Sequence, residues 1–262
     1  MSIKLIALDL DNTLITKTTD FSEKDLAAIE KAREAGIYVT LASGRAYRSL
    51  KIFLDRLKMD TYSISTGGAI VSDQNNKRLY TKFVEPKTAA DIIRFAYDND
   101  YYAQVYLNDD FVFFKEGKES AMYEKATSVP GIFDETLVQQ TEIETPKVLF
   151  IDEPARIEAL IPIIESRFPN VKAARSFPEY LEINHTDCGK GSALAALGDM
   201  LGFKQEEMMA IGDSEIDVSM IKYAGIGVAM GNAPEHIQKV ADYVTLDVLE
   251  SGVAHAIEKF CF

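Results

Sequence analysis

Cysteine and histidine are scarce in this chain, basic residues are outnumbered, and long apolar runs are missing. The two cysteines, Cys188 and Cys261, stand far apart with no C-x-x-C spacing. That excludes a disulfide framework and suits a reducing compartment. The three histidines, His185, His236 and His255, are too scattered for a zinc site of the usual spacing. Lys and Arg number 28 against 41 Asp and Glu, a formal net charge of -13. Such a balance argues against sequence-independent nucleic-acid binding and against a polybasic membrane contact, both of which need clustered cations. No apolar run approaches a membrane span, and the opening "MSIKLIALDLD" turns acidic too early for a signal peptide. The expectation is a soluble cytoplasmic protein, a monomer or weak homo-oligomer, with neither a nucleic acid nor a membrane as partner. A metal or a few local cations would still let it handle a small molecule that carries phosphate.

Apolar residues are plentiful: 47% of the 262 residues are hydrophobic, enough to bury one large core or two modest ones. Short β-type runs alternate with helical patterns at both ends of the chain. "KLIALDL" reads as a strand. "FSEKDLAAIEKAREAG" reads as a helix, with Ser22 as N-cap and Gly36 as its stop. "IYVTLAS", "AYRSLKIFLDRL" and "TYSIST" continue the alternation. It resumes after Cys188 with "KGSALAALGDMLG", "MMAIG", "SEIDVSMIKYAG", "IGVAM" and "APEHIQKVA". Alternation of this kind predicts a parallel sheet covered on both faces, with ligands at the carboxyl ends of the strands. The middle reads differently. Strand, helix and a hairpin turning at 108–110 are followed by the same order again, with Pro178-Glu179 at the second turn. The predicted fold is therefore α/β, a parallel Rossmann-like core of residues 1–82 and 188–262 interrupted by an α+β insert over 83–187. A cleft between two such domains is a natural ligand site.

Asp9 and Asp11 follow the first strand, and Asp213 with Asp217 follows "MMAIG". A buried carboxylate needs a partner. Carboxylates from neighbouring strand ends can converge only around a cation, and oxygen donors alone favour Mg²⁺. Asp217 also reads as the end of a plain capping box begun by Ser214. Ser43 and Arg45 of "LASGRAY" sit before a helix, where a hydroxyl and free N–H groups can hold an anion or simply cap the helix. Lys190 of "CGKGSAL" opens another helix against the macrodipole, which an anionic partner there would offset.

"DLDNTL", "ASGR", Lys190-Gly191 and "GDSEID", in this order, resemble the four motifs of the haloacid dehalogenase superfamily. The tail "IGVAMGNAPEHIQKVADYVT" and the position of the insert are similar to its Cof-type phosphatases with the larger α/β cap. The resemblance implies a phosphoric monoester hydrolase that uses Mg²⁺ and acts on a small phosphorylated metabolite, a sugar phosphate or a phosphorylated cofactor. It implies Asp9 as nucleophile, passing through an aspartyl-phosphate, and Asp11 as acid/base. The metal would be held by Asp9, the Asp11 backbone carbonyl and Asp213, with Asp217 behind them. Ser43, Gly44, Arg45 and Lys190 would bind phosphate, and Thr13 would fix the Asp9 rotamer. A phosphomutase, or a weakened binding or regulatory member of the superfamily, is the alternative. Two positions depart from the family: Ile216 and Gly67 stand where Asn is usual. Restoring Asn at 216 is expected to raise turnover by giving Lys190 a further partner.

Overall fold

The computed structural model describes residues 2–16, 20–108 and 110–262. The chain opens with β1 (Leu5–Leu8), α1 (Glu23–Glu34), β2 (Tyr38–Leu41) and α2 (Tyr47–Arg56). Ser22 caps α1 as expected, its hydroxyl accepting from the Lys24 amide at 3.2 Å, and Gly36 follows with φ 85°. Then come three short strands, β3 (Ser63–Ser65), β4 (Ile70–Ser72) and β5 (Arg78–Thr81). Here the structure corrects the sequence. "TYSIST" forms a strand but does not extend the parallel sheet. It pairs antiparallel with β4 in a separate three-stranded sheet, tied to the segment after β2 by the single parallel bridge Ala42–Ile64.

The middle of the chain forms a compact unit of its own, Thr81–Cys188. It contains α3 (Pro86–Asp98), β6 (Tyr102–Leu107), β7 (Asp110–Phe113), α4 (Lys118–Thr127) and β8 (Ile132–Phe133). These are followed by β9 (Val148–Ile151), α5 (Pro154–Arg167), β10 (Val171–Phe177) and β11 (Tyr180–His185). The six strands order as β10-β11-β9-β6-β7-β8, antiparallel except for the last pair. Pro178 and Glu179 make the expected turn, whereas Asp109 of the other turn lies outside the described residues. No strand forms at "FVEP"; Phe83 to Glu85 lead into α3 without ladder pairing. One sheet face packs Val105, Phe150 and Ile183 against Ile92, Ile93 and Leu160 of the two long helices. The opposite face carries Tyr102, Tyr106, Phe111, Phe113 and Tyr180, with Tyr123 of α4 against them.

The other unit, Met1–Tyr80 with Gly189–Phe262, is completed by the returning chain. It adds α6 (Lys190–Leu201), β12 (Met208–Gly212), α7 (Val218–Tyr223), β13 (Ile226–Ala229), α8 (Glu235–Gln238), β14 (Tyr243–Val244) and α9 (Gly252–Cys261). The helix expected from Ser214 starts as a 3₁₀ turn over Glu215–Asp217. The one expected over 233–241 shortens to α8. The parallel sheet runs β14-β13-β12-β1-β2. β1 is buried on both faces. Ile6 and Leu8 enter one apolar cluster with Met209 and Ile211, and Leu5 and Ala7 enter another with Met208 and Ala210. Burial on both faces explains why β1 reads as a continuous apolar run rather than an alternation. Among the described residues no helix is long and apolar enough to cross a membrane.

Candidate active site

The register of the parallel sheet places the acids. Leu8 stands beside Ile211 of β12 on one side and Leu41 of β2 on the other. Asp9, Asp213 and Ser43 therefore leave three adjacent strands at the same carboxyl edge. Asp9 is 4% exposed, and its amide continues the ladder to the Ile211 carbonyl at 2.9 Å. Asn12 adopts φ 61°, a left-handed angle that Asn tolerates, and the chain folds back so that the Leu14 and Ile15 amides reach the Leu10 carbonyl. The resemblance implies that Thr13 fixes the Asp9 rotamer; instead its hydroxyl donates to Asp213 Oδ1 at 3.1 Å.

Lys190 is fully buried at the first position of α6. Close backbone packing makes this possible. A Cβ on Gly191 would stand 2.3 Å from the Ser219 carbonyl oxygen, and one on Gly68 would stand 2.2 Å from Gly189. The Lys190 ammonium lies 2.5 Å from Asp9 Oδ1 and is ion-paired with Asp217 Oδ1 as well. Asp217 forms the capping box its sequence allowed and also pairs with Lys190, which its sequence did not announce. Its other oxygen accepts from the Asp213 amide (3.1 Å), the Ser214 amide (2.9 Å) and the Ser214 hydroxyl (2.7 Å). Two carboxylates engage Lys190, which has three donors to give, and no contact joins Ile216 to it. Ile216 instead packs toward Gly44, with Cδ1 3.2 Å from where a Cβ on that glycine would lie.

Asp11 points elsewhere. Arg45 grips it with two hydrogen bonds, Nε to Oδ2 at 2.9 Å and Nη2 to Oδ1 at 2.7 Å. Arg45 thus spends its fork on a carboxylate, a pairing that the separate motifs gave no sign of. Ser43 is buried, and its hydroxyl accepts from the Arg45 amide at 3.1 Å.

Among the described residues, the carboxylates of Asp9, Asp213 and Asp217 converge closely enough to share one ion, all three being buried. The Asp11 carboxylate is not in this group. Burial first, and then the charge of Asp217, raises the Asp9 carboxyl well above its ordinary range, although Lys190 pulls the other way. Asp213 is pushed up to about 7 by burial and by Asp217, against the hydrogen bond from Thr13. Burial works against the charge on Lys190, but Asp217 and Asp9 outweigh it and lift the ammonium above its usual value. Three buried carboxylates against one ammonium leave excess negative charge. A set of oxygen donors in that state fits a hard divalent cation such as Mg²⁺.

Comparison with known proteins agrees with this arrangement. A family model described as haloacid dehalogenase-like hydrolase matches residues 6–257. The 5-amino-6-(5-phospho-D-ribitylamino)uracil phosphatase YcsE of Bacillus subtilis is 31% identical, over 98% of this chain and 95% of its own. Phosphatase YwpJ of the same organism is 30% identical, over 98% and 99%. A solved structure from Thermotoga maritima superposes with a TM-score of 0.88 at 33% identity, covering 98% of this chain and 97% of that one. A haloacid dehalogenase-like hydrolase from Bacteroides thetaiotaomicron gives 0.88 at 28%, over 98% and 99%. With its acids at one sheet edge and a family match along nearly its whole length, the chain belongs to the haloacid dehalogenase-like hydrolases, as a phosphoric monoester hydrolase.

Proposed function

We propose that the protein is a Mg²⁺-dependent phosphatase that hydrolyses a small phosphorylated metabolite through an aspartyl-phosphate on Asp9. One observation carries this reading: Asp9, buried at a strand end, is held at 2.5 Å by a lysine that is itself buried. That geometry gives a carboxylate fixed in place beside a cation that can meet a phosphate oxygen. Asp9 would attack phosphorus, and the bond to the ester oxygen would break as Asp11 gives that oxygen a proton. Asp11 would then take a proton from water, whose oxygen attacks the same phosphorus. The bond to Asp9 would break, releasing phosphate and restoring the carboxylate. Lys190 and Ser43 would hold the non-bridging oxygens. Asp9 and Asp213, with the Asp11 backbone carbonyl, would hold the cation. Asp217 would stand behind them, since its oxygens already serve Lys190, Ser214 and the Asp213 amide. A bound cation would offset the charge of an anionic nucleophile facing an anionic substrate.

The substrate is proposed to be a sugar phosphate or a phosphorylated cofactor. A curated relative whose name carries a phosphorylated ribityl group on a pyrimidine supports that class. The test is a panel of phosphorylated metabolites, with Mg²⁺ and with excess chelator. At least one ester should be hydrolysed only with Mg²⁺, and Asp9→Asn, which keeps the shape but loses the nucleophile, should fold and be inactive. Near-native turnover of Asp9→Asn would remove Asp9 from this role.

A further inference from the structure

The unit Thr81–Cys188 carries a groove of its own, a cavity of about 460 Å³ between α3 and the end of α5. That is the size of a small-molecule site. Its floor is apolar. Phe95 and Phe168, 7% and 8% exposed, meet edge to face with ring centres 6.3 Å apart. Arg167 lies over both rings, its guanidinium 5.2 Å from the Phe95 centre and 5.9 Å from that of Phe168. Stacking of this kind occupies the face of a guanidinium and leaves its in-plane N–H groups for an acceptor. Among the described residues no acceptor takes them. Arg94 has an acid one turn before it, Asp91, and another one turn after it, Asp98, positions from which helical ion pairs ordinarily close. It pairs with neither among the described residues. Asp91 instead accepts from Lys87 at 2.9 Å, and Asp98 has no partner among the described residues. Two guanidinia and one carboxylate thus stand ready over an aromatic floor.

We propose that this groove binds a zwitterion, an α-amino acid with an apolar side chain. The guanidinia of Arg94 and Arg167 take its carboxylate, Asp98 takes its ammonium, and its side chain rests on Phe95 and Phe168. A lone anion would gain the guanidinia but face Asp98 and Asp91. A lone cation would gain Asp98 but face the guanidinia. Only a ligand with both charges pairs every group, since a like charge brought close is penalised. These residues all belong to Thr81–Cys188, whereas Asp9, Lys190 and Asp213 belong to the other unit. The inference therefore goes beyond the phosphatase reading and does not depend on it.

Titration calorimetry on the full chain tests it. The probes are phenylalanine, hydrocinnamate, which lacks the ammonium, phenethylamine, which lacks the carboxylate, and inorganic phosphate. Phenylalanine should bind at one site per chain, and each of the other three at least about tenfold more weakly. Arg167→Ala should weaken phenylalanine by a similar factor and leave phenethylamine no weaker. Asp98→Asn should weaken phenylalanine and leave hydrocinnamate no weaker. Arg94→Ala, at an exposed side chain without a partner among the described residues, carries the carboxylate arm if Arg167→Ala does not fold. Three results would overturn the proposal. Absence of binding by phenylalanine would deny the ligand class. Hydrocinnamate or phosphate binding as tightly as phenylalanine would make the groove a plain anion site. Undiminished binding of phenylalanine by the folded variants would place the ligand elsewhere.

Discussion

Gly67 and Gly68 are neighbours in one turn with opposite tolerance to substitution. Gly67 has φ 67°, and a Cβ built on it meets nothing within 4 Å. Asn occupies such left-handed angles more readily than other side chains. Gly67→Asn, the residue usual in the family, should therefore change stability by less than about 1 kcal/mol. Gly68 has φ 94°, and a Cβ there would enter the Gly189 backbone. Gly68→Ala must push the start of α6 away, and Lys190 with it. Turnover should drop at least tenfold, about 1.4 kcal/mol in barrier, with a lowered melting temperature. Parallel melting curves and rates on one ester would check both; equal behaviour of the two variants would refute the packing argument. The same positions show how far the site was legible. That Asp9, Lys190 and Asp213 would meet was readable because each sits in a short motif at a strand or helix end; that the Asp11 carboxylate would stand apart from them was not. The partners were not. Arg45 with Asp11, Thr13 with Asp213, and Lys190 between Asp9 and Asp217 are all set by strand register and helix entry, and one sequence gives residue types but no distances.

Between elements, the contact of α1 with α9 turns on one carboxyl. Asp25, 1% exposed, accepts the Ala254 amide at 2.7 Å. Burial pushes its carboxyl up to about 6, with that hydrogen bond pulling the other way. The folded protein thus holds this proton more tightly than the unfolded chain does. Stability from Asp25 is greatest below pH 4, falls as pH rises toward 6, and is flat above that. The change amounts to about 2 kcal/mol. Urea unfolding at pH 4 and pH 7 should show Asp25→Asn losing this share of the slope relative to wild type, while the shares of Asp9 and Asp213, which have the same sign, remain. An unchanged difference between the two pH values would clear Asp25. The element itself escaped the sequence reading. Val253, Ala256 and Ile257 bury one face of α9 at helical spacing, but the helix begins at Gly252 after Ser251 in a left-handed conformation, with no side-chain cap to announce it. The strands of the core were legible because both of their faces are apolar. The destination of β3 was not, since three residues can join either sheet and only the antiparallel return of β4 decides it.

At the scale of the molecule, a cation that binds the folded acids and not the unfolded chain must raise the melting temperature by mass action. Mg²⁺ at about 100 times its dissociation constant should add about 2.7 kcal/mol, a rise of roughly 5–10 °C for a chain this size. Asp213→Ala should lose most of that rise. Thermal melts with Mg²⁺ and with chelator read this without any substrate. Identical shifts in wild type and Asp213→Ala would place the cation elsewhere.

β1 is the second strand from one edge of its sheet, and its two neighbours arrive at very different times. β2 follows closely, but Leu5 waits for Met208. On a ribosome adding about 5–20 residues per second, that delay is roughly 10–40 s. Throughout it, an apolar strand with one unpaired edge is exposed to whatever else can pair with it, while the separate unit Thr81–Cys188 is being synthesised. Nascent chains shortened before Met208 should therefore engage holding chaperones through their first ten residues, and release should track the emergence of β12.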